Sequence, residues 1–439
     1  MDLKGKDVAV LGAGGSGIAA AALALGCGAS VTAFDSGDPR KLAPSVEKFA
    51  EMGVVLTTGE EALSPAKKFD LAVISPGIDE NWPIGKAFQE ASSELIGEIE
   101  LAWRLSEIPV IAITGTNGKT TTTALIAHML EGCGLKAVAA GNIGYAYSEA
   151  IHSGEKYDWI VIEVSSFQLE TIRSFRPQIA IWTNFAPDHM DRYGSVEDYH
   201  SAKMRIFQNY DDESFAILKN EDGIDLPNAV TFSAFQLGGC YFYEKGEIHS
   251  SQSASAFDFS SCRLHGLHNA ENVMMALAVA ARLGLDRDAV SEAIKTFEAP
   301  AHRCEPIPTD DGITWVNDSK STNLHSLESA LRGQEKAVIL VCGGKEKGLD
   351  YAEITELASA SANHVICIGE TAEKITAVWG DELPCEIADS LSTAVAKAAE
   401  VAEDGDIVLF SPGTSSFDMF SGYVERGNQF REAVQQHLS

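Results

Sequence analysis

The chain is 439 residues long, more than one hydrophobic core accommodates, so two or three domains are expected. Hydrophobic residues make up 45%, enough to exclude a disordered chain, yet no apolar run reaches the ~20 residues that span a bilayer. The formal net charge of −30 argues against a face that wraps nucleic acid, so an anionic substrate would have to meet locally concentrated lysines and arginines.

The opening Met1–Lys6 leads straight into a strand-like run, which predicts no signal peptide. Residues 7–11 (DVAVL) read as a buried strand, followed by a glycine-rich turn and an alanine-rich helix from Ile18 to about Leu25. Further strands are expected at 30–34 and 71–75, an alternation that predicts a small parallel sheet with crossover helices. Val110–Thr114 opens a second unit of this kind, with a helix from about Lys119 to Leu130 and strands at 159–163 and 179–184. The serine-rich stretch 249–261 carries weak strand signals, and 270–284 has apolar residues at helical spacing. Pro300 marks a composition change, after which strands at 337–342, 364–368 and 407–410 alternate with helices. The predicted fold class is α/β in three domains: 1–97 Rossmann-like, 98–300 a central P-loop-type domain, and 301–439 again Rossmann-like. The eight cysteines are scattered without a C-x-x-C pair, which points away from a zinc site or disulfide framework and towards a reducing cytosol.

Two glycine-rich loops compete for a phosphate ligand. Gly12–Gly17 is a formal G-x-G-x-x-G between strand and helix, with Asp35 at the end of the next strand. That spacing suits a pyrophosphate at a helix N-terminus and a ribose hydroxyl on the carboxylate, and alone it suggests an NAD enzyme or merely a tight turn. The second loop, Gly115-Thr116-Asn117-Gly118-Lys119-Thr120, follows the strand 110–114. Its N–H groups would cradle phosphates, Lys119 would reach the β- and γ-phosphates, and the Thr120 hydroxyl would hold Mg²⁺. It is not a full Walker A, because Ile113 stands where the first glycine belongs. The nucleoside triphosphate is therefore assigned to the second loop and a different ligand to the first. Glu163, ending a strand beside that loop, reads equally as a Mg²⁺ ligand or a solvated strand-end carboxylate. His189 lies in a polar loop, which favours a ligand or substrate contact over a core role. Lys203, on its own, reads as a solvated helix lysine.

Taken together, the segments resemble the Mur ligase family of peptidoglycan synthesis, and within it the branch that adds D-glutamate. The matching motifs are ITGTNGKTTTT (Ile113–Thr123), GNIG (Gly141–Gly144), EVSSFQLE (Glu163–Glu170), PDHMDRY (Pro187–Tyr193) and AKMRI (Ala202–Ile206). HNAEN (His268–Asn272), HRCE (His302–Glu305), NDSKSTN (Asn317–Asn323) and SPGTSSFDMFSGYVERGNQF (Ser411–Phe430) follow in family order. The N-terminal part matches more loosely, through GAGGSG and Ser75-Pro76-Gly77. The resemblance implies a cytoplasmic, monomeric enzyme that uses ATP and Mg²⁺. ATP would phosphorylate the terminal carboxylate of UDP-N-acetylmuramoyl-L-alanine, and the amine of D-glutamate would attack the acyl phosphate.

By resemblance, Gly115, Thr116, Asn117, Gly118, Lys119, Thr120, Thr121, Asn269, Asn272, Arg303, Asp318 and Lys320 would bind ATP. Arg303 and Lys320 would come from the third domain after closure. Thr120 and Glu163 would hold one Mg²⁺, and His189 and Lys203 a second, with Lys203 as a carbamate. Lys119, His189 and Lys203 would be catalytic. Gly14, Gly15, Ser16, Gly17, Asp35, Ser36, Ser75, Pro76, Gly77, Asn142 and His189 would hold the UDP-sugar, its diphosphate on the first glycine loop and its uracil near Asp35 and Ser36. Thr322, Lys347, Ser416, Phe417 and Tyr423 would hold D-glutamate, with Lys345 a rival to Lys347. The chain departs from the family within Ser411–Ser416, where S-P-A-C-A-S is frequent, and at Tyr423, where the family often has Phe, and it lacks the Asp-Asn-Pro-Arg segment of members adding a diamino acid. Three rival readings remain: a Mur- or folylpolyglutamate-type ligase with another amino acid, an NAD-dependent oxidoreductase, and a non-catalytic nucleotide-binding regulator. The oxidoreductase leaves Lys119, Glu163 and Lys203 unexplained.

Overall fold

Apolar runs become strands wherever helices cover both faces of a sheet, and three such sheets organise the chain. The computed structural model describes residues 1–439 except Asp191, Gln252, Pro300, Glu335 and Ser439. The expected boundary at Pro300 thus lies outside the described residues, as does Asp191 within the PDHMDRY motif. Two compact units result. The first comprises Met1–Ser233, Gly238–Tyr241 and Val273–Ile294; the second comprises Ala234–Leu237, Phe242–Asn272 and Lys295–Ser439.

The first unit contains two parallel sheets. Strands β1 (Asp7–Leu11), β2 (Ser30–Asp35), β3 (Val55–Thr58), β4 (Leu71–Ile74) and β5 (Leu95–Gly97) form one in the order β3-β2-β1-β4-β5. Strands β6 (Val110–Thr114), β7 (Ala137–Gly141), β8 (Trp159–Glu163), β9 (Ile179–Trp182), β10 (Phe215–Lys219) and β11 (Ala229–Ser233) follow in the order β11-β10-β9-β6-β8-β7. In both, the order reverses beside a strand that ends in a glycine loop, β1 and β6, which is where open α/β sheets bind ligands. The register places Glu163 opposite Ile113, so the β8 carboxylate stands at the base of the second loop. One continuous apolar core joins Val8, Val10 and Val73 of the first sheet to Val110, Ile160 and Trp182 of the second.

Two buried glutamates secure the junction between these sheets. Glu100 accepts hydrogen bonds from the backbone N–H groups of Arg173 (2.9 Å), Ser174 (2.8 Å) and Phe175 (2.9 Å) and from Arg104 Nε (2.6 Å). Burial alone would raise its pKa, but a hydrogen bond from the Ser174 hydroxyl, with these bonds, outweighs burial and holds it below the usual carboxylate range. Glu98, with no such set, accepts from Ser148 N–H at 2.5 Å, and burial pushes its pKa up.

Strands β12 (Tyr241–Glu244), β13 (Glu247–Ser250) and β14 (Ser253–Asp258) come next, with β13 and β14 antiparallel. The second unit carries the third sheet: β15 (Glu305–Ile307), β16 (Thr314–Asn317), β17 (Val338–Gly343), β18 (Ala362–Ile368), β19 (Cys385–Ile387) and β20 (Ile407–Phe410), in the order β15-β16-β20-β17-β18-β19. It is parallel apart from the antiparallel pair β15–β16. The fold is the expected three-part α/β architecture. The predicted helix at 270–284 begins earlier, at Leu267. Among the described residues no helix is long and apolar enough to cross a membrane.

Candidate active site

The second glycine loop is shaped by backbone conformations that only glycine adopts cheaply. Gly115 has φ +135° and Gly118 φ +83°, and a Cβ on Gly115 would lie 2.0 Å from Thr183 Oγ1. The segment after β9 holds the loop from outside. Thr116 N–H donates to Asn184 O (2.9 Å), Asn117 N–H to Asn184 Oδ1 (3.0 Å), and Thr183 Oγ1 to Asn117 O (2.6 Å). The helix Lys119–Gly132 starts here despite four consecutive threonines. Thr121, Thr122 and Thr123 are buried, so packing overrides their weak helix propensity.

Three polar groups meet at the base of the loop. Thr120 Oγ1 donates to Glu163 Oε2 at 2.6 Å, and Asn142 Nδ2 donates to Glu163 Oε1 at 3.0 Å. Lys119 Nζ donates to the carbonyls of Gly115 (3.0 Å) and Thr116 (2.6 Å). Lys203 Nζ donates to the same Gly115 oxygen at 2.6 Å, so both lysines converge on one carbonyl. The solvated helix lysine read from the sequence alone is not what the structure shows: Lys203 is 2% exposed and its ammonium lies 4.6 Å from the Tyr199 ring centre. Burial, reinforced by the Lys119 charge, holds the Lys203 pKa well below the ordinary lysine value despite opposing attraction from Asp188 and Glu163.

His189 adopts φ +57° with a half-exposed ring 5.0 Å from Phe167, and its N–H donates to Asp188 Oδ1 (2.8 Å). A neighbouring group received no role from the sequence. Arg192 donates to Glu170 Oε2 (2.8 Å) and to the Pro76 carbonyl (3.2 Å), and it lies over the Phe167 ring at 4.4 Å. Tyr193 OH donates to the other Glu170 oxygen at 2.5 Å. Arg192 therefore ties the Ser75–Gly77 loop to the loop bearing His189. The PDHMDRY and EVSSFQLE matches contained these residues, but no spacing rule pairs them.

The first glycine loop divides into two kinds of glycine. A Cβ on Gly12 (φ +105°) would lie 2.6 Å from Ser75 Oγ, and one on Gly17 would lie 2.0 Å from Gly12 O. Gly14 and Gly15 have no protein atom within 4 Å of such a Cβ, and both are exposed. Protein atoms thus demand glycine at 12 and 17, while 14 and 15 leave open space beside the N-terminus of the helix Gly15–Gly26. Ser16 is half-buried, Ser36 is exposed, and Ser75 Oγ is buried without a partner. Asp35 uses both oxygens on backbone, accepting from Ala13 N–H (2.8 Å) and Gly37 N–H (2.8 Å).

In the second unit, Asn272 Nδ2 donates to Asn269 Oδ1 (2.9 Å) on the helix Leu267–Leu283. Arg303 is flanked by His302 (φ +66°) and Cys304 (φ +44°), two positive φ values that cost strain in residues other than glycine. Asp318 accepts from Cys304 N–H (3.2 Å) and Ser411 Oγ (2.8 Å), and burial raises its pKa to about 6. Lys320 Nζ sits 3.9 Å from the Tyr423 ring centre. Thr322 is half-buried, Ser416 is buried, Phe417 is 70% exposed and Lys347 is exposed. Lys345 pairs with Glu370 at 2.6 Å.

The donor set suits magnesium at one point. Thr120 and Glu163 offer a hydroxyl and a carboxylate already in contact, and Mg²⁺ takes few protein ligands alongside substrate phosphates. No cluster of three or more His, Cys, Asp or Glu that could hold a metal ion occurs among the described residues, so a metal here would need phosphate oxygens.

The Mur ligase middle domain model matches residues 113–280, and the model of the Mur ligase glutamate ligase domain matches 302–413. The UDP-N-acetylmuramoylalanine--D-glutamate ligase of Geobacter metallireducens is 38% identical over 447 residues, covering 99% of this chain and 98% of that one. The chain belongs to the Mur ligase family. The ligase of the same name from Geotalea uraniireducens is 37% identical over 444 residues, again with 99% and 98% coverage. Among solved structures, UDP-N-acetylmuramate-alanine ligase MurC from Thermotoga maritima superposes with a TM-score of 0.62 at 19% identity, covering 98% of this chain and all of that one. The MurF ligase of the same organism, in complex with ADP, gives 0.59 at 16% identity, covering 86% and 99%. Both structures share the Mur ligase fold with this chain.

Proposed function

We propose that this Mur ligase joins D-glutamate to UDP-N-acetylmuramoyl-L-alanine, using ATP, in peptidoglycan precursor synthesis. The observation that carries the reading is the convergence of Lys119, Lys203, Thr120 and Glu163 on one phosphate-shaped loop. A carboxylate is a poor electrophile, and phosphorylation gives it a leaving group. The alanyl carboxylate attacks the γ-phosphorus of ATP, ADP leaves, and an acyl phosphate forms. The amine of D-glutamate then adds to the acyl carbon, and inorganic phosphate departs.

The first step brings anions together. Lys119 leaves the Gly115 and Thr116 carbonyls and turns to the β- and γ-phosphates. Mg²⁺ on Thr120 and Glu163 neutralises phosphate charge when bound. Lys203 acts as a carbamate: burial and the Lys119 charge disfavour its ammonium and so favour the amine that reacts with CO₂, and the remaining Nζ–H still has Gly115 O to donate to. His189 would contact the reacting carboxylate and, with the Lys203 carbamate, would hold a second metal. Gly14, Gly15, Ser16, Gly17 and the Ser75–Gly77 loop hold the UDP-sugar, with Asn142, Asp35 and Ser36. The nucleotide roles of Asn269, Asn272, Arg303, Asp318 and Lys320 rest on the family match. Lys347, with Lys345 as its rival, joins Thr322, Ser416, Phe417 and Tyr423 around D-glutamate. The domains are 1–97 for the UDP-sugar, 98–300 for ATP and 301–439 for the amino acid, in a cytoplasmic monomer.

Phosphate release tests the reading. With UDP-N-acetylmuramoyl-L-alanine and ATP present, D-glutamate should support turnover far faster than L-glutamate, L-lysine or meso-diaminopimelate. Equal rates with a diamino acid would refute the amino-acid assignment.

A further inference from the structure

The segment after β9 is fastened at both ends, and His189 lies between the fastenings. At its start Thr183 and Asn184 grip the Asn117 peptide. There too, Thr116 Oγ1 donates to Ala186 O (3.0 Å) and accepts from Ala186 N–H (3.0 Å). At its far end stands Arg192, whose side chain is 14% exposed. One terminal nitrogen donates to Pro76 O (3.2 Å), the other donates to Glu170 Oε2 (2.8 Å), and the guanidinium lies 4.4 Å from the Phe167 ring centre. Pro76 belongs to a turn closed by Ile78 N–H on Ser75 O (3.0 Å), and Ser75 N–H on Leu11 O (2.9 Å) ties that turn to the strand that carries the first glycine loop. Glu170 directly follows the short helix Ser166–Leu169, which holds Phe167.

His189 is the strained member of the segment. Its φ of +57° is unfavourable for a residue with a Cβ, and such a conformation persists where the surroundings over-determine it. Its carbonyl accepts from Arg192 N–H (3.0 Å) and Tyr193 N–H (3.1 Å), and its ring meets Phe167 edge-on at 5.0 Å. The Arg192 side chain reaches each of these neighbours. It overlies Phe167 directly, and it shares Glu170 with the Tyr193 hydroxyl. A local turn needs no partner 116 residues away, so the bond to Pro76 does something besides closing the turn. A planar guanidinium can stack on a ring while it bonds two acceptors, which a lysine ammonium cannot.

We propose that Arg192 is a positioning residue: by bonding the Ser75–Gly77 turn to the His189 turn, it sets the His189 ring against the carboxylate of the UDP-sugar held on the first loop. This rests on the roles given above to His189 and to the Ser75–Gly77 loop. Misplacing a reacting group by ~1 Å slows a reaction by about 10²-fold. Arg192→Met keeps the length and apolar stem but removes both donors. With all substrates saturating, its kcat should fall at least about tenfold, while the KM values for ATP and the UDP-sugar stay within about twofold. In the His189→Ala background the same substitution should cost little more, because it acts through a side chain already gone. A raised KM for the UDP-sugar with unchanged kcat would make Arg192 a direct substrate contact and overturn the proposal. Losses that multiply in the double variant would overturn it as well. So would a lowered thermal midpoint with normal kcat well below it, the mark of a purely structural role. Should Arg192→Met fail to fold, Arg192→Lys decides: it keeps the charge without the planar fork, so kcat should stay at least about fivefold low, and full recovery would overturn the proposal. Failure of the parent reading looks different: His189→Ala itself would leave kcat unchanged.

Discussion

The first unit builds the strand–glycine turn–helix device twice and equips the two copies differently. At Gly12–Gly17 the turn is packed against Ser75 and opens to solvent at Gly14 and Gly15, with no lysine in the loop. At Gly115–Thr120 the turn is gripped by Thr183 and Asn184, and Lys119, Lys203 and the Thr120–Glu163 pair surround it. Backbone amides and a helix N-terminus suffice to hold a diphosphate. Transferring a phosphoryl group needs charge neutralised at the moment of reaction, which takes cations. The glycine pattern is therefore evidence of a phosphate, and the residues around it decide whether that phosphate is carried or moved.

The contrast can be broken first at Lys203. Lys203→Ala should remove nearly all turnover, and added short-chain carboxylic acids should restore part of it by returning an anionic oxygen near the metal. Near-normal rates, or density for a bare ammonium in a Mg²⁺-bound crystal grown with bicarbonate, would contradict the carbamate. Lys119→Ala comes next, with phosphate release slowed by about 10²- to 10³-fold and the KM for the UDP-sugar unchanged. In the first loop the effect should be on binding alone. Gly14→Leu should raise the KM for the UDP-sugar about tenfold or more, the scale of a lost hydrogen-bonded anion contact, and leave the ATP value within twofold. The smallest effect is expected at Asp35→Asn. One oxygen can still accept from Ala13 or Gly37, so thermal denaturation should report a loss of about 1 kcal/mol.

Much of the fold was legible because buried parallel strands read as short apolar runs. DVAVL, VIAIT and WIVIE became β1, β6 and β8 with the expected limits. Strand ends differed by one or two residues where the expected strand ran on into polar residues beyond the ladder, as at Ser75 and at Thr183–Asn184. In the second case the extra residues grip the phosphate loop instead, a task with no signature in local pattern. Lys203 was illegible for a similar reason. Its burial depends on a carbonyl 88 residues earlier in the chain, and a lysine on a polar helix gives no hint of that partner. Only the AKMRI match separated it from a surface lysine. Arg192 lay inside a matched motif as well, yet its partner Pro76 comes from another loop. Sequence pattern gathered the site into segments, and long-range packing decided which atoms within them meet.

The two glycine loops should hold different phosphates, and one titration series addresses that directly. UDP-N-acetylmuramoyl-L-alanine, a non-hydrolysable ATP analogue and NADH are each titrated into the unmodified protein and into Gly14→Leu and Lys119→Ala. Gly14→Leu should weaken only the UDP-sugar, Lys119→Ala should weaken only the ATP analogue, and NADH should bind none of the three proteins. Tight NADH binding to the unmodified protein that Gly14→Leu abolishes, with UDP-sugar binding unaltered by that substitution, would contradict this division.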